Sequence, residues 1–527
     1  MKVKKEHLIL ILILLIGTAL RVFLSREITF IGVDAVSYTR LGKNLIEKGA
    51  YIFGEDYNRG IFFPPGYPLV IGVLNLFIND LFLSGEIISV ISSLVAIFLL
   101  YLIGKEIYNE EAGLFAAFSF ALYPSLLSTS ILVSSEALFI CFMALSIYLT
   151  FILIKKNSLF YFILLGVSIG MAYLTRSEGL LLLALPFLHV LSSGMRENKQ
   201  YLIKVSVALI VFALIASPYI LFLKNATGKF NLSGKNSYLS YLMQNGVTGP
   251  GFEFDKVRFI LNDEKNKIKS YDEAYKTSGT MDLIREPADF IKRYVKNAIA
   301  EAKVLLILLV PILLPVIFAF FDKDLFRRKE LIFIIFPLVF LLIYPLYFID
   351  ERQVLLALLP IILFSSIGFA NSSPAVSFLL NYYQLEKNII TSFFEKSIKT
   401  VIVLILLLRV FVFSYDIDVP YEYIKAGYFL KNNVTSEYEK LNIMERVPWV
   451  SFYSDSRFTS IPYASPSDII NFARLYKVDY IVIGERTLNG WENYNELINM
   501  DKYSGDVELV YKDDSVKAIK LLKVKYN

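Results

Sequence analysis

Cysteine, histidine and tryptophan are nearly missing from this chain: one, two and two in 527 residues. With Cys141 alone, no disulfide and no cysteine metal site can form within one chain. His7 and His189 lie far apart in sequence and each adjoins an apolar stretch. Histidine triads and histidine-cluster metal sites are therefore not expected. Charge is scarce as well, at 19% of residues, and the formal net charge of +5 is small for this length. That balance gives no reason to expect nucleic acid as a partner.

What is present instead is apolar sequence. Hydrophobic residues make up 56% of the chain, against about half in soluble domains, and many windows of about 18 residues carry no charge. Eleven apolar spans are predicted, at 8–24, 86–104, 112–132, 137–154, 159–175, 179–193, 202–223, 303–321, 331–348, 353–371 and 400–415. The segment 159–193 reads either as two short spans or as a re-entrant pair. The opening MKVKKEHLILILILLIGTAL has the lysines and apolar core of a signal peptide. Its cleavage pattern is weak and many spans follow, so it reads as an uncleaved first helix.

Orientation follows from lysine and arginine in the short connections. With a cytoplasmic N-terminus, the inner segments hold fifteen: Lys2, Lys4, Lys5, Lys105, Lys155, Lys156, Arg196, Lys199, Lys323, Arg327, Arg328, Lys329, Lys387, Lys396 and Lys399. The short outer connections hold Arg176 and Arg352. The expected layout is a membrane domain over 1–415 with outer loops at 25–85 and 225–302, followed by an outer α/β domain over 416–527.

The first outer loop predicts an amphipathic helix over 35–48, with Tyr38, Leu41 and Leu45 on one side and Gly49 as its stop. After PPGYP, the run LVIGVLNLFI is too short to span and is expected at the interface. In the second loop Pro287 is expected to open an amphipathic helix that runs into the next span. In the tail, WVSFY (449–453) and DYIVIG (479–484) read as strands. SPSDIINFARLY reads as a helix capped by Ser467, and VELVYKDDSVKAIKLLKV as a hairpin turning at Asp513–Asp514.

Ionisable residues gather beside the spans at the outer face: Asp34 in the first loop, Glu136 in SSEALF, Arg176 and Glu178 in TRSEG, and Asp350, Glu351 and Arg352 in IDERQ. Acids and arginines at one interface suit work on an anionic, membrane-embedded substrate. Each also has a plainer reading. Asp34 can be a helix N-cap, Tyr38 an interfacial anchor, Glu136 an acid favoured by a helix start, and the arginines can snorkel to headgroups.

The order of these motifs resembles the GT-C superfamily of membrane glycosyltransferases. The likeness is to the branch of protein O-mannosyltransferases and the aminoarabinose transferase of lipid A. It rests on GVDAVSYTRLGKNLIEKGAY, PPGYPLVIG, SSEALF, LTRSEGLLLLALP and ERQVLLALLP, within 1–415. The resemblance implies an inverting enzyme that takes a sugar from a polyprenyl-phosphate carrier and passes it to a protein, glycan or lipid acceptor. It implies Asp34 as general base and Arg176 and Arg352 at the donor phosphate. Tyr38, Tyr67, Glu136, Glu178 and Glu351 would shape the site or the acceptor's seat. Many relatives carry two adjacent acids in the first loop, whereas here Ala35 follows Asp34. The tail lacks a Trp-Trp-Asp motif, which argues against an oligosaccharyltransferase. No metal is expected to be required, although Glu136 with Asp34 has the chemistry to hold a divalent ion. The competing expectation is a transporter or flippase of lipid-linked glycans, which would favour charges at the bilayer midplane.

Overall fold

In the computed structural model, the described residues are 4–28, 30–53, 59–193, 199–247, 252–270, 273–274, 287–328, 330–346, 351–382, 389–412, 418–434 and 440–526. They form two compact units. One is Met1–Ile28, Leu83–Tyr219 and Ile291–Asp416. The other is Thr29–Phe82, Ile220–Phe290 and Ile417–Asn527. The two outer loops thus join the C-terminal segment in one body.

The first unit is helical. Among the described residues six helices have the length and composition to cross a membrane: Lys5–Ser25, Leu81–Ile107, Ser135–Lys155, Lys199–Thr227, Pro287–Ala319 and Arg352–Ala370. The expected span at 112–132 is two helices, Glu110–Leu122 and Pro124–Ile131, bent by 61°. Pro124 supplies the break, since it has no amide to donate back into the first helix. Leu159–Thr175, Ser177–Leu191 and Leu331–Leu346 are apolar but shorter. The last expected segment, 400–415, lies in helix Ile389–Val412 as far as residue 412, and its last three residues fall outside the described ones. Each of the eleven apolar stretches is helical over most of its described residues, and among those residues six helices, or seven with the bent pair, satisfy the length test. The first helix carries a buried arginine: Arg21 donates from Nε to Ser93 Oγ at 2.5 Å and from Nη1 to the Gly17 and Ala121 carbonyls. A charge inside an apolar span needs such partners to persist.

The second unit is built on a five-stranded sheet: β1 Asn442–Glu445, β2 Arg457–Ser460, β3 Tyr480–Gly484, β4 Val507–Asp513 and β5 Ile519–Val524. The order is β2-β1-β3-β5-β4. β1 is parallel to β2 and β3, and β5 is antiparallel to β3 and β4. Side chains alternate between two cores, as strand geometry requires. Met444, Ile481 and Leu522 pack with Ile469 and Phe472 of helix Pro466–Leu475 and with Phe259 and Ile268 of the second loop. Ile443, Tyr480, Val482 and Leu521 pack with Tyr423, Ala426 and Leu430 of helix Tyr421–Asn433.

Two details of the tail differ from the sequence reading. WVSFY is a helix, Trp449–Tyr453. Its aromatic and β-branched composition favours a strand, but the buried Glu445 carboxylate accepts from the Val450 and Ser451 amides and caps a helical turn there. The helix in SPSDIINFARLY is capped by Ser465, which accepts from Asp468 N, and not by Ser467. Pro466 takes the first helical position, so the residue before it becomes the cap. The expected hairpin and the DYIVIG strand are present as β4, β5 and β3.

Candidate active site

The first-loop helix runs Val33–Lys48 and ends at Gly49, which adopts φ 63° and carries the chain out of the helix. Its N-cap is Gly32, so Asp34 sits inside the first turn and is not the cap. The Asp34 side chain is half-buried. One turn later Tyr38 is buried against Phe63 at 4.9 Å and Tyr67 at 5.2 Å, both edge-on. Tyr67 itself is fully buried and starts helix Gly66–Ile78, with Pro65 at its N-cap. The two helices cross at Gly42 and Gly72. A Cβ on Gly42 would lie 2.3 Å from the Pro68 carbonyl oxygen, and one on Gly72 would lie 2.5 Å from the Gly42 oxygen. The PPGYP turn therefore docks a rigid helix against the one that bears Asp34.

A second contact fixes the chain just ahead of Asp34. The Trp449 indole Nε1 donates to the Ile31 carbonyl at 2.9 Å, and the Ile31 amide donates to Tyr453 Oη at 3.1 Å. On the Asp34 helix itself, Arg40 Nη2 donates to Ser451 Oγ at 3.1 Å and to the Ser456 carbonyl at 2.9 Å. Trp449, Ser451 and Tyr453 all lie on the short helix that Glu445 caps. Burial pushes the Glu445 carboxyl up to about 7, against the lowering pull of Ser451, Val450 and Arg40. Beside this clamp is a cavity of about 370 Å³, with Arg40, Lys43, Tyr428, Lys431, Tyr453 and Asp455 on its walls.

In the other unit the helix Leu159–Thr175 stops at Arg176, which turns to an extended backbone. The chain folds back so tightly that a Cβ on Gly179 would lie 2.4 Å from the Tyr173 amide nitrogen. That turn aims Arg176 at the start of helix Ser135–Lys155. Arg176 Nη1 donates to Glu136 Oε1 at 2.8 Å, and Nη2 donates to Glu178 Oε1 at 2.9 Å. Arg176 is 8% exposed and Glu136 3%. The second Glu136 oxygen, Glu301 Oε1 and the Tyr344 hydroxyl are buried without a hydrogen-bond partner among the described residues. The charges of Glu178, Arg176, Glu301 and Glu136 all act on Tyr344. The aromatic chain Phe139, Phe340, Tyr344, at 6.2 and 6.1 Å, links it to the Glu136 helix. Glu301 is one turn past Asn297, which donates to the Pro345 carbonyl.

The sequence-predicted residues therefore divide. Asp34, Tyr38 and Tyr67 belong to the second unit, and Glu136, Arg176, Glu178 and Arg352 to the first. Tyr38 and Tyr67 touch, and Glu136, Arg176 and Glu178 form one ion-paired group. Arg352 is exposed on helix Glu351–Val354. Asp350 and the Glu351 side chain lie outside the described residues. Glu301, Tyr344, Arg21, Trp449 and Tyr453 were not singled out from sequence. For Arg21 the signal was available, an ionisable group within an apolar span, and Glu301 lies two residues ahead of the span at 303–321. Among the described residues no group of three or more His, Cys, Asp or Glu is gathered to hold a metal ion.

The chain is similar along nearly its whole length to solved membrane glycosyltransferases. The archaeal oligosaccharyltransferase AglB from Archaeoglobus fulgidus, in complex with an inhibitory peptide and a dolichol-phosphate, aligns with a TM-score of 0.58 at 13% identity. That match covers 99% of this chain and 74% of AglB. ArnT from Cupriavidus metallidurans, bound to undecaprenyl phosphate, aligns at 0.57 and 11% identity, covering 97% of both chains. The arabinofuranosyltransferase AftD from Mycobacteria aligns at 0.55 and 11% identity, over 98% of this chain and 41% of AftD. The chain shares the fold of these structures, with several long apolar helices and a small C-terminal sheet domain. Residues 63–221 match the family described as dolichyl-phosphate-mannose-protein mannosyltransferase. No curated protein sequence matches the chain significantly.

Proposed function

We propose that this protein moves a sugar from a polyprenyl-phosphate carrier to an acceptor hydroxyl at the outer membrane face, with inversion at the anomeric carbon. The observation that carries the reading is the placement of Asp34. It is a half-buried acid on a helix locked by the Gly42–Gly72 crossing, and the capping role that would explain it otherwise belongs to Gly32. A carboxylate so held can take the proton of an attacking hydroxyl, which is the work of a general base. The family match over 63–221 and the lipid phosphates in the AglB and ArnT structures support a lipid-phosphate donor. The lysine and arginine tally supports a cytoplasmic N-terminus with both loops and the tail outside.

The leaving group is a lipid phosphate, and a cation must meet its developing charge. Two arginines are candidates for that cation, the exposed Arg352 and the buried Arg176. Arg176 has both terminal nitrogens on carboxylates, so it reaches phosphate only by giving one up. Its first role is to hold Glu136 and Glu178 in place. The hydroxyl of Tyr344 and the second oxygen of Glu136 suit the hydroxyls of a sugar ring. The 370 Å³ cavity, with aromatic and charged walls, suits a polar acceptor.

The test is purified protein in lipid nanodiscs with dolichyl- and undecaprenyl-phosphate mannose, glucose and arabinose, each labelled in the sugar. Release of free lipid phosphate from at least one donor is expected. In vesicles, movement of intact donor across the bilayer without release would instead mark a flippase and overturn the proposal.

A further inference from the structure

The two tryptophans of the chain do parallel work. Trp491 Nε1 donates to Asp255 of the second loop at 3.0 Å, where Asp255 also receives a two-pronged contact from Arg446 at 2.6 and 2.7 Å. Trp449 Nε1 donates to the Ile31 carbonyl of the first loop. One residue pair of the sheet domain therefore handles each outer loop. The first-loop contact differs in its target. It grips main chain and not a side chain, and it grips both polar groups of one residue, since the Ile31 amide is held by Tyr453.

Ile31 precedes the N-cap Gly32, and Asp34 follows two residues after that cap. A backbone pinned at Ile31 and a helix pinned at Arg40 leave the intervening turn, which bears Asp34, with two fixed ends. The pinning helix is itself set by the sheet. Glu445 ends β1 and accepts the Val450 and Ser451 amides, so the positions of Trp449 and Tyr453 follow from β1. Trp449 also packs edge-on against Tyr423 at 5.3 Å, so the indole is oriented by the second core.

We infer that Trp449 and Tyr453 are positioning residues for the transfer reaction, through which the C-terminal domain sets the aim of Asp34. This rests on Asp34 being the base. Catalysis is sensitive to such aim, because displacement of a reacting group by about 1 Å can cost about a hundredfold. The C-terminal domain is on this account part of the reacting apparatus, not an appendage that binds acceptor alone.

The test uses full-length protein in nanodiscs and the donor that the wild type turns over fastest among the six named above. Trp449→Phe and Tyr453→Phe each keep the ring and remove one hydrogen bond. Each is expected to lower kcat by about tenfold, with the double variant lower still and donor KM unchanged. Hydrogen exchange in a peptide covering 30–34 should speed up in both. Trp491→Phe removes an equivalent indole bond in the same domain and is expected to keep kcat. Wild-type kcat in the double variant overturns the inference, as does an equal loss in Trp491→Phe, which would mark a general effect of loosening the domain. Asp34→Asn in the same preparation separates the two levels. An inactive Asn variant beside a fully active double variant removes only the positioning role, and an active Asn variant removes the base and the positioning role together.

Discussion

The two acid-bearing regions solve opposite problems. In the helical unit, Glu136 and Glu178 are held by ionic contact: one buried guanidinium serves both carboxylates, and a tight turn at Gly179 aims it. In the sheet unit, the helix that bears Asp34 is held by main-chain contacts at Ile31 and by the Gly42–Gly72 crossing. The first arrangement makes acids that are costly to disturb and slow to exchange partners. The second places a half-buried acid in the first turn of a helix whose position the chain around it fixes.

The comparison breaks most readily at Arg176. Arg176→Met leaves Glu136 buried without its cation and is expected to cost about 3–5 kcal/mol. Pairing it with Glu136→Gln should recover most of that loss, because removing both charges avoids the stranded one. Unfolding of detergent-solubilised protein in graded SDS checks both, and a single variant as stable as wild type would show the pair to be surplus.

A smaller effect concerns Glu445. Its carboxyl is raised from 4.5 to about 7 by burial. A group whose folded pKa is raised contributes stability in full below its unfolded value, and that contribution is lost as pH rises through the folded one. The sheet domain should therefore lose on the order of 3 kcal/mol between about pH 4.5 and 7. Asp455, Asp468, Asp501 and Asp513 are shifted down and act only in more acid solution. Denaturant-dependent exchange of β3 amides across this range reads the slope, and Glu445→Gln should flatten it. A slope that persists in the variant would place the titration elsewhere.

The smallest expected effect is at Arg352. Arg352→Lys keeps the charge and loses the fork, so donor kcat/KM should fall about tenfold with acceptor KM unchanged. Equal loss toward donor and acceptor would remove Arg352 from the phosphate.

Much of this was legible in the sequence where local chemistry decides structure. Periodicity and Gly49 gave the Asp34 helix to within two residues, and the apolar runs gave most helices of the membrane region, though not Ser373–Tyr382. The TRSEG and SSEALF acids were expected at one interface, and they meet. What could not be read is what depends on distant partners. WVSFY is a helix because of a carboxylate on a neighbouring strand, and Trp449 finds its acceptor 418 residues away in sequence. The Arg176–Glu178 contact is local to TRSEG, whereas the contact with Glu136 joins residues 40 positions apart. Helix breaks were not legible either: Pro124 bends one apolar stretch into two helices at 61°.

The account stands or falls on Asp34. Asp34→Asn keeps size and shape but cannot accept a proton at neutral pH. Transfer from labelled donor should fall by about a hundredfold or more. Donor binding and exchange protection of helix 33–48 should match wild type. Turnover within about threefold of wild type, with the same folding and binding, would contradict the role of Asp34 as base.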